Sequence, residues 1–253
     1  MKPSVLVKGL ACACLWLSAS LGFAEPVITS SAIDWLLDCP FPAVARPDPE
    51  VLDRTQCGTV RVPRDHAAPA RGSLRLTLIR VGARQPLNRE GVVFIQAGEP
   101  QRGQGAAFAV DLASRWESYA TPAYRTLANR YDVIELSVRD LTQDNSAEQA
   151  ARDMDFVRAQ LGDAQLNFLG IAQATRLGGR YAALFPERVA RMALVNAGSD
   201  EPAISGVDLL RLKEVTRPGA VTSGCVNQWV GDFLVFGKQP PVSTRCLDRG
   251  AWE

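Results

Sequence analysis

The stretch Leu166-Asn-Phe-Leu-Gly-Ile-Ala-Gln-Ala-Thr-Arg-Leu-Gly-Gly-Arg-Tyr-Ala-Ala-Leu-Phe-Pro-Glu-Arg-Val-Ala-Arg-Met-Ala-Leu-Val195 contains a complete structural unit. Residues 166–169 form a short apolar run of the kind found in buried strands. A helical pattern over 174–185 follows directly and stops at Pro186, and 189–195 is a second apolar run. Strand, helix and strand in that order predict two parallel strands joined by a right-handed crossover. Further out, 91–95 (Gly-Val-Val-Phe-Ile) and 131–138 (Tyr-Asp-Val-Ile-Glu-Leu-Ser-Val) read as buried strands too. Between these and the central unit, Ala147, Ala150, Met154, Val157 and Leu161 recur at helical spacing, with Asn145 or Ser146 able to cap. At the N-terminal side, 58–64 and 73–81 alternate apolar and polar residues around a turn rich in Ala, Pro and Gly, which predicts a β-hairpin with one solvated face. The expected class is therefore α/β, a parallel sheet wrapped by helices behind an N-terminal hairpin. A last amphipathic helix carries Val226, Trp229, Val230, Phe233 and Leu234 on one face.

Composition narrows the function. The 253 residues are 47% hydrophobic and 22% charged, too apolar for a disordered chain. No self-similar period runs through the sequence, which excludes a repeat array. Lys+Arg 28 against Asp+Glu 27 gives +1, so nothing global points to nucleic acid. Met1 to Ala24 reads as an export signal. Lys2 and Lys8 precede an apolar run from Leu10 to Ala24, and Gly22 and Ala24 fit a cleavage site before Glu25. That run falls short of the roughly 20 residues of a membrane span. The expectation is a periplasmic or secreted chain with no stable membrane span, in which 25–253 form one domain. Of the six cysteines, Cys12 and Cys14 fall in the signal, leaving Cys39, Cys57, Cys225 and Cys246. An even number in an exported chain reads as two disulfides, with three pairings open. The pairing between sequence neighbours would close two short loops. Metal-type Cys-x-x-Cys spacing is absent from these four, and the chain has a single histidine, His66, so no metal and no cofactor are expected.

Four segments carry a resemblance. They are Cys57-Gly-Thr-Val-Arg-Val-Pro-Arg-Asp-His66, Val92-Val-Phe-Ile-Gln96, Arg130-Tyr-Asp-Val-Ile134 with Arg139, and Asp153 to Val195. In this order they resemble an exported group of α/β-hydrolases, the tripeptidyl aminopeptidase-like and proline iminopeptidase-like peptidases. The resemblance implies an α/β-hydrolase sheet with a serine nucleophile in Gly-x-Ser-x-Gly on a sharp strand-to-helix turn. It also implies a Gly-Gly-Pro-Gly turn for the oxyanion, and an acid and a histidine near the C-terminus.

The same segments have lost that chemistry. The elbow reads Gly170-Ile-Ala172-Gln-Ala174, with alanine where the nucleophile belongs and no hydroxyl or thiol to attack a carbonyl. Thr175 lies nearby, but helix geometry points it away from the attack direction. The oxyanion turn reads Ala97-Gly98-Glu99-Pro100. Glu99 brings negative charge toward the place where donors are needed, and Pro100 has no N–H to give. No histidine follows His66, which falls in the hairpin turn. Only 253 − 195 = 58 residues follow the last matched strand, where the family places a lid and two further strands. The chain therefore reads as internally shortened around 202–222, with the lid and late strands missing and one sheet edge uncovered. These losses predict a pseudoenzyme that works by binding itself, as a homodimer, or another exported protein. A second reading keeps a peptide or small-molecule ligand in the vestigial cleft, contacted by Glu99, Arg139 or Gln173. A third keeps serine-type hydrolysis through residues not recognised.

Overall fold

A computed structural model describes residues 32–40, 48–97, 108–118, 121–139, 146–198, 204–215, 224–241 and 246–247. The signal segment and Gly98, Glu99 and Pro100 lie outside the described residues. The elements in chain order are β1 (Asp34–Trp35), α1 (Pro49–Asp53), β2 (Thr55–Pro63), β3 (Ser73–Val81), β4 (Gly91–Ala97), α2 (Phe108–Ser118), α3 (Pro122–Arg130) and β5 (Tyr131–Leu136). There follow α4 (Ser146–Gln160), β6 (Leu166–Ile171), α5 (Thr175–Leu184), β7 (Val189–Val195), β8 (Leu209–Leu212), β9 (Glu214–Val215), α6 (Gly224–Phe236) and β10 (Cys246–Leu247).

Eight strands form one sheet in the order β1-β2-β3-β5-β4-β6-β7-β8. The hairpin β2–β3 is antiparallel, and β3 joins β5 antiparallel through Leu78↔Leu136 to Val81↔Val133. From β5 onward every neighbour is parallel. Alternate residues of each strand point to opposite faces, so the sheet divides the core in two. Val93, Ile95, Val133, Leu169, Ala193 and Val195 face α2, α3 and α6. Val92, Phe94, Ile134, Phe168, Met192 and Leu194 face α4 and α5. The result is a three-layer sandwich with the C-terminal ends of the parallel strands along one rim, where such sheets build their sites.

The α/β-hydrolase-like sheet with its N-terminal hairpin is present as expected. One correction concerns its far edge. The interval around 202–222 is not empty of sheet, because β8 runs parallel to β7 from Met192↔Leu209 to Val195↔Leu212. The edge of β7 is therefore covered. Leu-Leu-Arg-Leu is too short to stand out as a strand in sequence, yet Leu210 and Leu212 are buried against the α6 side and Arg211 is exposed. Two disulfides form, Cys39–Cys57 and Cys225–Cys246, each between sequence neighbours. The first fixes the segment after β1 onto β2, and the second joins α6 to β10, which pairs with β9.

Candidate functional site: an elbow without its nucleophile

β6 ends at Ile171 and the chain enters α5 through a single 3-10 turn, Ala172–Ala174. Ala172 sits in the left-handed region with φ 54°, a conformation that costs an L-residue on the order of 1–2 kcal/mol. That is the geometry of a nucleophile elbow, with an alanine at its apex. Ala172 and Gln173 are exposed at the rim of the sheet, while Ala174 and Thr175 are buried. The tight approach of helix to strand depends on two glycines. A Cβ on Gly170 would lie 2.6 Å from the Phe168 ring and 3.2 Å from the Ala174 carbonyl oxygen. A Cβ on Gly178 would meet the same ring at 2.6 Å and Leu194 at 2.9 Å. The close contacts thus fall at Gly170 and Gly178, and the turn accommodates a buried methyl at Ala174. Thr175 donates its Oγ1 hydrogen to the Ala172 carbonyl at 2.5 Å, which turns the hydroxyl into the turn and away from the rim.

The other expected contacts separate. Ala97 is the exposed last residue of β4, with Glu99 outside the described residues. Just before it, the buried Gln96 donates from Nε2 to the Leu136 carbonyl at 2.6 Å, tying the ends of β4 and β5 together. Arg139 does not serve an open cleft. Its guanidinium binds both carboxylate oxygens of Asp153, at 2.6 Å from Nε and 3.0 Å from Nη2, and reaches the carbonyls of Pro63 and Arg64. Asp153 on α4 is 1% exposed, so a cation has to accompany it. Arg139 is therefore a clamp between α4 and the end of β2, and its donors are spent on that task.

His66 joins the same cluster. Its Nε2 lies 2.7 Å from Asp153 Oδ1, and its backbone N–H donates to Gln149 Oε1 at 2.8 Å. The histidine belongs to the β2–β3 turn, as expected. From β3 to β6 the sheet steps through β5 and β4, a lateral distance of roughly 14 Å at the usual strand spacing. The imidazole faces α4 and is too far away to serve Ala172. Asp153 went unrecognised in the sequence because it sits among the apolar positions of α4 without any motif of its own.

One further acid lies near the rim. Glu135, in the second half of β5, accepts from the N–H of Ala109 at 2.8 Å and so caps the first turn of α2. Burial raises its carboxyl above the usual range, against the N–H bonds from Ala109 and Phe108 that favour the charged form. A glutamate interrupting Val-Ile-Glu-Leu in an apolar strand was the available signal. Among the described residues, no group of three or more His, Cys, Asp or Glu could hold a metal ion, and no helix is long and apolar enough to cross a membrane.

Parallel sheet, flanking helices and elbow define the fold as α/β-hydrolase-like, and the sequence profile described as alpha/beta hydrolase fold matches residues 113–225. Within that class it is similar to tripeptidyl aminopeptidase of Streptomyces lividans, 28% identical over 196 residues. That match takes in 58% of this chain and 36% of the relative, so the chain spans about a third of the Streptomyces enzyme's length. It is also similar to serine protease Hip1 of Mycobacterium tuberculosis, 49% identical over 47 residues, which cover 19% of this chain and 9% of the relative. Among solved structures, juvenile hormone epoxide hydrolase of the silkworm Bombyx mori overlaps 60% of this chain and 34% of its own, with 16% identity and a TM-score of 0.42.

Proposed function

We propose that this protein is an exported, non-catalytic α/β-hydrolase homologue that acts by binding a protein partner or a second copy of itself. The observation that carries the reading is Ala172. It occupies the apex of the elbow with the backbone of a nucleophile, and its side chain has nothing with which to attack. The engagement of His66 with Asp153 supports the same conclusion. Export is supported by the signal-like first 24 residues and by the two disulfides. With β7 covered by β8, the surface that favours a partner moves to the opposite edge. There Trp35, Leu36 and Leu37 are 39%, 41% and 102% exposed in consecutive positions beside β1. A fixed apolar run of this kind favours contact with another surface.

The test is turnover of ester and aminoacyl-anilide substrates by the purified protein beside an Ala172→Ser variant, with the mass of the native assembly measured in parallel. The expected result is no turnover by either protein and no labelling by a serine-reactive phosphonate. Turnover by the unmodified protein would mean that it is a hydrolase with another nucleophile, and the proposal would fall. A monomer that retains no partner from the exported fraction would remove its binding half.

A further inference from the structure

A hollow of about 310 Å³ lies on the outer face of α4, away from the elbow, lined by His66, Arg152, Asp155, Phe156, Ala159 and Phe185. Arg152, Asp155, Phe156 and Ala159 follow at i, i+3, i+4 and i+7, one stripe of the helix. Phe156 and Phe185 are half-buried and supply an apolar floor. Phe185 is steadied by the Tyr181 ring, centroids 5.3 Å apart, and by the Arg188 guanidinium 4.9 Å from its centroid.

The charges around the hollow are matched among themselves. Arg152 pairs with Glu148 at 3.0 Å. Asp155 accepts from Arg158 at 2.9 Å, from the Tyr181 hydroxyl at 3.1 Å, and from Arg188. An ionic ligand would have to displace one of these pairs, so the surroundings favour a neutral one. The remaining polar group is His66. Its Nε2 faces a buried carboxylate that Arg139 holds in place, and Nε2 therefore carries the proton it shares with Asp153. In the neutral ring Nδ1 then keeps its lone pair, an acceptor on a ring whose orientation is fixed from behind.

We propose that this hollow binds a neutral aromatic molecule carrying a hydroxyl group, its ring on Phe156 and Phe185 and its hydroxyl donating to His66 Nδ1. The proposal stands apart from the elbow and does not depend on the protein being non-catalytic.

Because the chain has one histidine, its imidazole nitrogens are unambiguous in a spectrum of the 15N-histidine-labelled full chain. Phenol is the probe and anisole the control, the same ring without the hydroxyl proton. The expected result is a saturable shift of the His66 ring nitrogens with phenol, at least tenfold weaker binding of anisole, and loss of the phenol response in Ala159→Trp. Ala159 is an exposed helix position, so the tryptophan fills the hollow without entering the core. Three results overturn the proposal: no saturable shift, equal binding of phenol and anisole, or an undiminished response in Ala159→Trp. A His66 ring that carries protons on both nitrogens at the assay pH overturns it as well, since Nδ1 would then be a donor.

Discussion

Replacing Arg139 by alanine tests whether this residue is a clamp or a ligand contact. The substitution removes two hydrogen bonds to Asp153 and two to the carbonyls of Pro63 and Arg64. Asp153 is 1% exposed and cannot turn to water for compensation. Breaking a buried pair by deleting one partner costs about 3–5 kcal/mol, because the other charge stays behind uncompensated. His66 still faces Asp153 at 2.7 Å, which puts the expected loss at the lower end, about 3 kcal/mol. For a domain of this size that lowers the melting midpoint by roughly 10 °C. The assay is equilibrium urea unfolding of the wild type, Arg139→Ala and Arg139→Lys, followed by circular dichroism. Lysine keeps one positive charge but not the forked geometry, so it should recover part of the loss and not all of it. A loss below about 1 kcal/mol for alanine, in the range of exposed ion pairs, would refute the clamp and return Arg139 to the list of contacts for a ligand.

Four other outcomes are expected. The folded-state pKa of Glu135 is raised, so its contribution to stability is complete below the unfolded carboxyl pKa and is lost as pH rises through the folded value. Glu135→Gln should accordingly melt higher than wild type at pH 7–8, with the gap closing toward pH 4 in a series of thermal scans. Gly178→Ala drives a methyl into the Phe168 ring and should destabilise by about 1–3 kcal/mol in denaturant titrations. Ala172→Gly removes the cost of a side chain at φ 54° and should be neutral or stabilising by up to ~1 kcal/mol in the same titrations, unlike a glycine at an ordinary helical site. Loss of the Cys39–Cys57 bridge by Cys39→Ser with Cys57→Ser should cost about 3 kcal/mol and release the segment after β1, seen as faster amide exchange at Leu36.

Much of the sheet could be read from local pattern, because each parallel strand is a continuous apolar run and the hairpin alternates. β8 could not, since four residues give no period and its burial depends on β7 and α6 arriving beside it. Helix α3 was legible but unused: Thr121 caps it through Oγ1 to the Tyr124 N–H at 3.3 Å, and Pro122 opens its first turn. At the elbow, the missing hydroxyl was plain from Gly170-Ile-Ala172, whereas the retained backbone strain is a property of φ that no residue name reveals. Arg139 shows the opposite limit. Its place in the loop after β5 suggested the cleft, but the direction of its side chain is decided by a buried aspartate on the next helix. The cysteine pairing was undetermined for the same reason: four cysteines permit three solutions, and only the arrangement of β2 and α6 selects one.

The two bridges join cysteines 18 and 21 residues apart, each to the next cysteine along the chain. From Cys39 onward, the cysteine that completes each bridge comes next after its partner along the chain. Cys57 can pair with Cys39 while Cys225 is still to be made, and of these four Cys246 then has only Cys225 left to join. Forming the two bridges takes an oxidant, and their nearest-neighbour order asks for little reshuffling among these four sulfurs.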